Sequence, residues 1–495
     1  MLDIVVNIMK DRGGINQLNH ARDLPHVVVK RLPVVCSKIS TFPLVNCEQM
    51  SIVGNKESLA RFTRQVMGLR FYNLSEELRI CSGDQLTMDR WRSIMILTDT
   101  EPLSECFDWN LPIPGLFHTK QTYMKMFTSN HGGETVEDVS SITGAQWKLR
   151  REKIDKGCSD LCAMKSLMGH ILMAQVLGVL AAEWKVNTLD ELAEKCQNGN
   201  QVVECINKVA EEYLVYNAVA NLREKSVRDI VFENGLLSLR HNLWVHSFHQ
   251  GVAEGDIGKV KDLLDIWPPC FLRSKHYKYT IEMLEIQCGF KAEWSMELQE
   301  VVLRNWLVNP PGLANHFLPV DEFQEKCVRM LKEIHNSGGA ERTGEFLRET
   351  VARLLCVFRN ITKSVRVAMG GTDYRSGHTR SDGKADVKAL FDMYMDKALY
   401  TKIRNRGVAI SVGDESRTSI GLKACGDWYQ DGMDVLTEGV YWEGFVKRGI
   451  RGMRLQYCKS YDDVEENEER DGENEDGGDV FTGEDIFLGA MNYEE

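Results

Sequence analysis

Two regimes of hydrophobic patterning divide the chain. From about Ser141 to Thr362 apolar residues recur at i, i+3 and i+4, as in "QVVECINKVAEEYLVYNAVANL", "GKVKDLLDIW", "YTIEMLEIQ" and "FLRETVARLLCVF". That period lines one face of a helix, so it predicts a largely helical body. Upstream the pattern is mixed. "HVVVKRLPVV" is β-rich, "NKESLARFTRQVMGL" has helical spacing, and "ELRIC" reads as a short strand running into the helix "LTMDRWRSIMIL". "LPIPGLFHTKQTYMKMFTSNHGG" reads as a Pro/Gly turn followed by a strand or helix. The expected fold is α+β and predominantly α-helical. An α/β portion (1–140) precedes a helical body (141–368), a basic Gly-rich loop (369–386), a small helical unit (387–459) and an acidic tail (460–495). No repeat period is evident.

Charge sharpens this division. The chain has 72 acidic and 60 basic residues, but fifteen of the acidic ones and a single Arg (Arg470) lie in 461–495. The remainder is close to neutral, so it carries no bulk signature for nucleic acid, and such a reading must rest on local patches. The tail's composition cannot bury a core, and disorder is expected for it. Fourteen cysteines follow no repeating framework and no secretory signal is recognisable, which suits free thiols in an intracellular, nuclear or cytoplasmic setting. The most apolar run, "LMGHILMAQVLGVLAAEW" (167–184), is interrupted by His170, Gln175 and Glu183. It reads as a buried core helix rather than a membrane span. Cys158, Cys162 and His170 have helical spacing that invites zinc, but no second ligand pair follows; core thiols are the alternative.

Several residue types suit chemistry. Asp84, after Gly83 at the end of "LRIC", sits where α/β proteins gather functional side chains, although an Asp there also caps the following helix. Asp321 and Glu325 share one helical face at i, i+4. Two such carboxylates repel each other unless a cation or basic group lies between them, which makes the pair a candidate for metal. Glu282 is a further candidate; its alternative is a solvated helix face with Lys278. His118, after the Pro-Gly turn, could face the same cleft as Asp84, whereas His131 reads as a loop residue. "GNKES" lacks the spacing of a phosphate loop. "RNWLVNPPG" reads as structural, with Trp306 and Leu307 filling a core. The basic stretch Arg359–Arg406, including Arg359, Lys363, Arg366, Arg375, Arg380 and Lys384, could contact phosphates; the alternative is a solvated face.

"SIVGNKESL" (51–59), "SGDQLTMDRWRSI" (82–94), "LPIPGLFHTK" (111–120), "AEGDIGKVKDLLDIW" (253–267), "KYTIEMLEI" (278–286), "LRNWLVNPPG" (303–312) and "VDEFQEKCVRMLK" (320–332) occur in the order of one family. The chain resembles domain-of-unknown-function family 6589. The resemblance implies a transposon-derived protein with a small ribonuclease-H-like α/β core and a large helical insertion. It further implies DNA as partner and Mg²⁺ held by acidic residues around Asp84, with Glu325 or Glu282 as the last ligand. Where the family has "QEHxN", this chain reads Gln324-Glu325-Lys326-Cys327-Val328. A catalytically inactive interaction scaffold is therefore the alternative to a metal-dependent nuclease or transposase-like enzyme.

Overall fold

The computed structural model describes residues 5, 28–47, 51–66, 68, 78–102, 107–223, 227–337, 343–368, 383–407 and 422–438. In chain order the elements that matter below are α1 (Ile52–Arg61), β1 (Arg79–Gly83), α2 (Gln85–Leu97), β2 (Asn110–Pro114) and α3 (Leu116–His131). There follow α4 (Leu161–Trp184), α5 (Ile230–Glu254), α6 (Ile257–Arg273), α7 (Tyr277–Cys288) and α8 (Met296–Asn305). A two-residue antiparallel pair, β3 (Leu307–Val308) with β4 (Leu318–Pro319), leads into α9 (Val320–Ser337). Then come α10 (Ala352–Ala368), α11 (Gly383–Asp396) and α12 (Trp428–Glu438). The fold is predominantly helical, with little strand. "HVVVKRLPVV" does not form a strand in its described part. Its one bridge joins Arg31 to Asp256, whose carboxylate accepts the Lys30 N–H at 2.8 Å.

β1 and β2 pair in parallel, Gly83 opposite Pro114. Parallel neighbours need a crossover, and α2 supplies it. Its apolar side, Met88, Trp91 and Ile94, closes a small core with Leu59, Phe107 and Trp109. Among the described residues this pair is all the parallel sheet there is.

The main core lies in the helical body. α4 is the one described helix long and apolar enough to cross a membrane, and two thirds of its apolar window (67%) is buried inside the fold. At the centre Trp267 of α6 stacks between Tyr123 of α3 and Phe248 of α5, with centroids 4.4 and 4.9 Å apart. Rings of this size dominate core energetics. α3 therefore has its middle anchored in the core while its first turn lies at the ends of β1 and β2. A second cluster joins α9 to α10 through Phe323, Val328, Leu331, Ala352 and Leu355.

The helices after residue 382 belong to the main core. Val387, Leu390, Phe391 and Tyr394 of α11 pack in it with Leu399, Tyr400 and Trp428. Gly178 of α4 and Gly235 of α5 make room for Tyr400 and Leu399, and Gly432 of α12 lies against the Pro269 carbonyl of α6. Reciprocal hydrogen bonds fix the approach to α12. Asn130 donates to the Gly426 carbonyl (3.0 Å) and accepts from its N–H (2.9 Å), while Asn234 does the same with Lys423 and Cys425. The residues whose spacing suggests zinc are otherwise engaged. Cys158 is buried beside Thr128, Cys162 is exposed, and His170 lies 3.0 Å from Asp386 of α11.

His131 is not a loop residue. It ends α3, fully buried, with Nε2 3.0 Å from Nδ1 of His241, and the His241 ring stacks on Trp428 at 5.1 Å. Arg240 and Asp427 form a buried ion pair beside them. Burial, and then the Arg240 charge, push His131 down to about 3 and His241 well below its ordinary value. The folded state thus binds fewer protons than the unfolded one once pH falls below about 6.5, and stability present above that pH is lost as the pH drops towards 3. Chemical denaturation from pH 7 to 4.5 should show a loss of about 1 kcal/mol per pH unit for each histidine. The decline should be shallower in His241→Phe. An equal slope in that variant would assign the acid sensitivity to groups other than this histidine pair.

Candidate functional site at the strand ends

The site is assembled around a missing side chain. α3 begins after Gly115, which has no side chain to cap the helix. The first N–H groups of a helix have no intrahelical acceptor and carry the positive end of its dipole. Asp321, in the first turn of α9, takes the capping role. It is 3% exposed, its Oδ2 accepts from the Phe117 N–H (2.9 Å) and the His118 N–H (3.1 Å), and its Oδ1 also receives Phe117 (3.1 Å). A Cβ on residue 115 would collide with this carboxylate and approach the Gly83 carbonyl to 2.8 Å, so the glycine of "LPIPGLFHTK" is required by packing. The Gly115 N–H donates to that same Gly83 carbonyl at 2.8 Å, which ties the two strand ends together.

The basic partner demanded by the i, i+4 spacing of Asp321 and Glu325 is His118. Its Nδ1 lies 3.1 Å from Asp321 Oδ2, and its Nε2 lies 3.8 Å from Glu325 Oε1. Burial lowers the imidazole pKa. The hydrogen bond and charge of Asp321, with the charges of Asp84 and Glu325, outweigh that and hold it above its ordinary value. Asp84, His118, Asp321 and Glu325 therefore share one cleft. Tyr279 of α7 faces it as well; burial and the nearby Asp84 and Asp321 carboxylates are among the influences that push its hydroxyl up to about 12.

Glu282 does not join them. It is not a solvated residue: it is fully buried, its carboxylate accepts from Arg92 Nε at 3.1 Å, and Arg92 also donates to the Pro112 carbonyl. A buried carboxylate needs such a partner, and the ion pair clamps α7 to α2 and β2. Asp84 has the helix-cap geometry, its Oδ1 accepting the Thr87 N–H at 2.7 Å. Beside it, Ser82 Oγ and Gln85 Nε2 are buried without a hydrogen-bond partner.

Magnesium prefers near-octahedral oxygen ligation, and two-metal chemistry requires carboxylates shared between ions. Here both oxygens of Asp321 already accept N–H groups and one oxygen of Asp84 does. Among the described residues no three His, Cys, Asp or Glu side chains are grouped to hold a metal ion. The donor set as arranged does not fit Mg²⁺.

A cationic face borders the cleft. Lys120 of α3 and Lys326 of α9 reach the two oxygens of Glu322 at 3.3 and 3.0 Å, and Lys120 Nζ also sits 4.9 Å above the Phe117 ring. The exposed Lys165 of α4 faces Lys120, Lys326 and Glu322. On α5, His249 faces Lys165 and Lys120, and its Nε2 is buried without a partner. Two ammonium groups thus flank one carboxylate, and Lys165 lies within electrostatic reach of all three. Nothing in the sequence pattern singles out Lys120, Lys165 or His249, because they come from three helices. Lys326 stands where the family motif has His.

The remaining basic candidates are separate from this face. Arg359, Lys363 and Arg366 belong to α10, but their side chains lie outside the described residues, as do Arg375 and Arg380 altogether. Lys384, at the start of α11, is exposed. "NWLVNPPG" has the expected structural role and more: Trp306 and Leu307 are buried, and Trp306 Nε1 donates to the Pro114 carbonyl (2.9 Å) at the end of β2.

Asp321→Asn should lower the His118 titration midpoint, followed by NMR of the imidazole, and reduce stability by about 1–2 kcal/mol through the weakened cap. Gly115→Ala should match that stability loss. An unmoved midpoint in Asp321→Asn would assign the raised basicity of His118 to Asp84 and Glu325.

Comparison with curated proteins and with solved structures finds no match. A family described as "Family of unknown function (DUF6589)" matches residues 1–378, which takes in β1, β2, the Asp321 cap and the lysine face. The chain belongs to this family.

Proposed function

We propose that the chain binds nucleic acid, with DNA as the expected partner, across the cleft at the ends of β1 and β2. In this reading the carboxylates there position and charge His118 rather than hold a metal ion. The observation that carries the proposal is the meeting of Lys120, Lys165 and Lys326 beside the His118–Asp321 pair. A backbone phosphate set against three ammonium groups would face a histidine whose raised pKa favours its charged form. Such interactions place a strand without reading its bases. Arg359, Lys363, Arg366, Arg375, Arg380 and Lys384 would extend the phosphate track.

The arrangement also supports the transposon-derived, ribonuclease-H-like reading. Asp84 follows a parallel strand, and an acidic helix beyond a long helical stretch returns to the same strand end. The commitment of Asp84, Asp321 and Glu282 to internal partners favours a member that has lost metal-dependent strand cleavage and acts as an interaction scaffold.

In fluorescence anisotropy with duplex DNA, Lys165→Glu with Lys326→Glu should weaken binding by about tenfold or more. It should also flatten the slope of log K against log salt by about one for each phosphate no longer neutralised. Titration with Mg²⁺ or Mn²⁺ should release no cleaved DNA from either the native chain or Asp84→Asn. Undiminished binding by the double variant would remove the nucleic-acid reading. Metal-dependent cleavage abolished by Asp84→Asn would show that the carboxylates do hold metal.

A further inference from the structure

The helix α10 is amphipathic in an unusual way. One side, Ala352 and Leu355, is buried against α9. Its other side presents Leu354, Val357, Phe358, Ile361 and Val365, each between 38% and 53% exposed. Leu354, Phe358, Ile361 and Val365 follow alternating steps of four, three and four residues, so they form one continuous stripe along the helix. Isolated exposed apolar residues need no explanation, but a contiguous stripe of five on one helix marks an interaction surface.

Charge narrows the choice of occupant. The helix sequence "ARLLCVFRNITKSVRVA" contains Arg353, Arg359, Lys363 and Arg366 and no acidic residue. A second copy of this helix would bring two such basic segments together. An occupant that is both apolar and acidic would complement it. The chain contains such a segment at its end: 479–495, "DVFTGEDIFLGAMNYEE", has five acidic residues, no basic one, and Val480, Phe481, Ile486, Phe487, Leu488, Met491 and Tyr493. The acidic run 461–478 leads into it and would be drawn to the same basic helix. The 40 residues 439–478 separate it from the end of α12.

We propose that residues 479–495 dock on the exposed apolar face of α10, with Ile486, Phe487 and Leu488 against Phe358, Ile361 and Val365. The chain thereby covers its own basic helix with its acidic end. This inference does not rest on the strand-end cleft, since α10 and the tail share no residue with the His118 site; the docked tail would cover Arg359, Lys363 and Arg366, which could then extend the phosphate track only once it is displaced.

A benzophenone photo-crosslinker placed at position 361 of the full-length chain tests it. After irradiation, mass spectrometry should find the cross-link within one molecule and in residues 479–495. Changing Ile486→Asp and Phe487→Asp together should cut its yield by about tenfold, and raised salt should lower it too. A covalent dimer, a cross-link into any other segment, no cross-link, or a yield indifferent to the two tail substitutions would each overturn the proposal. Position 361 is exposed, so the probe itself does not disturb the core.

Discussion

The arrangement of the cleft rests on a carboxylate that caps a helix far from it in sequence. α3 starts at a glycine and cannot satisfy its own first N–H groups, and Asp321, 204 positions beyond Phe117, does so. The glycine is there because the carboxylate occupies the space a side chain would need. Three elements are held by this one interaction: the strand pair through Gly83 and Gly115, α3 through its first turn, and α9 through its own. The bond from Trp306 to the Pro114 carbonyl acts alongside it, just before α9 begins. Because α3 is also wedged into the aromatic stack at Tyr123, the position of His118 is set by the main core as much as by its immediate neighbours.

The same cap shows what a sequence can reveal and what it leaves out. Local periodicity suffices for the helical body, for the short strand before Asp84 and for the cap geometry of that residue, since each depends on neighbours within a few positions. The repulsion between Asp321 and Glu325 is also legible, and it requires a basic partner. That the partner is His118 is not, because 203 residues separate them and only the packing of α9 onto α3 brings them together. Glu282 illustrates the opposite outcome. Its spacing suits a solvated face, yet Arg92, 190 residues away, makes a fully buried carboxylate tenable. His131 misleads for a related reason: the Gly-Gly that follows it suggests a loop, while the residue itself is the last, buried turn of a helix.

A cleft whose carboxylates cap helix ends and face a histidine differs physically from one whose carboxylates are left open to a cation. Each N–H that Asp321 accepts reduces the negative charge available to a cation. The adjoining lysines act in the opposite sense, since one carboxylate cannot neutralise three ammonium groups. The resulting arrangement sets a group of lysines beside a group of carboxylates. It comes from side chains on separate helices, so it belongs to the tertiary structure rather than to any basic run in the chain.

The family match ends at residue 378, but the hydrophobic interior does not. Tyr400 against Gly178, Leu399 against Gly235 and Trp428 on His241 fill space that α3, α4 and α5 leave open. Shared ancestry and physical autonomy therefore have different borders in this molecule. A gene fragment cut at the limit of sequence similarity would encode a protein with an aromatic-lined wound, and such a surface invites chaperones and proteases more readily than ligands.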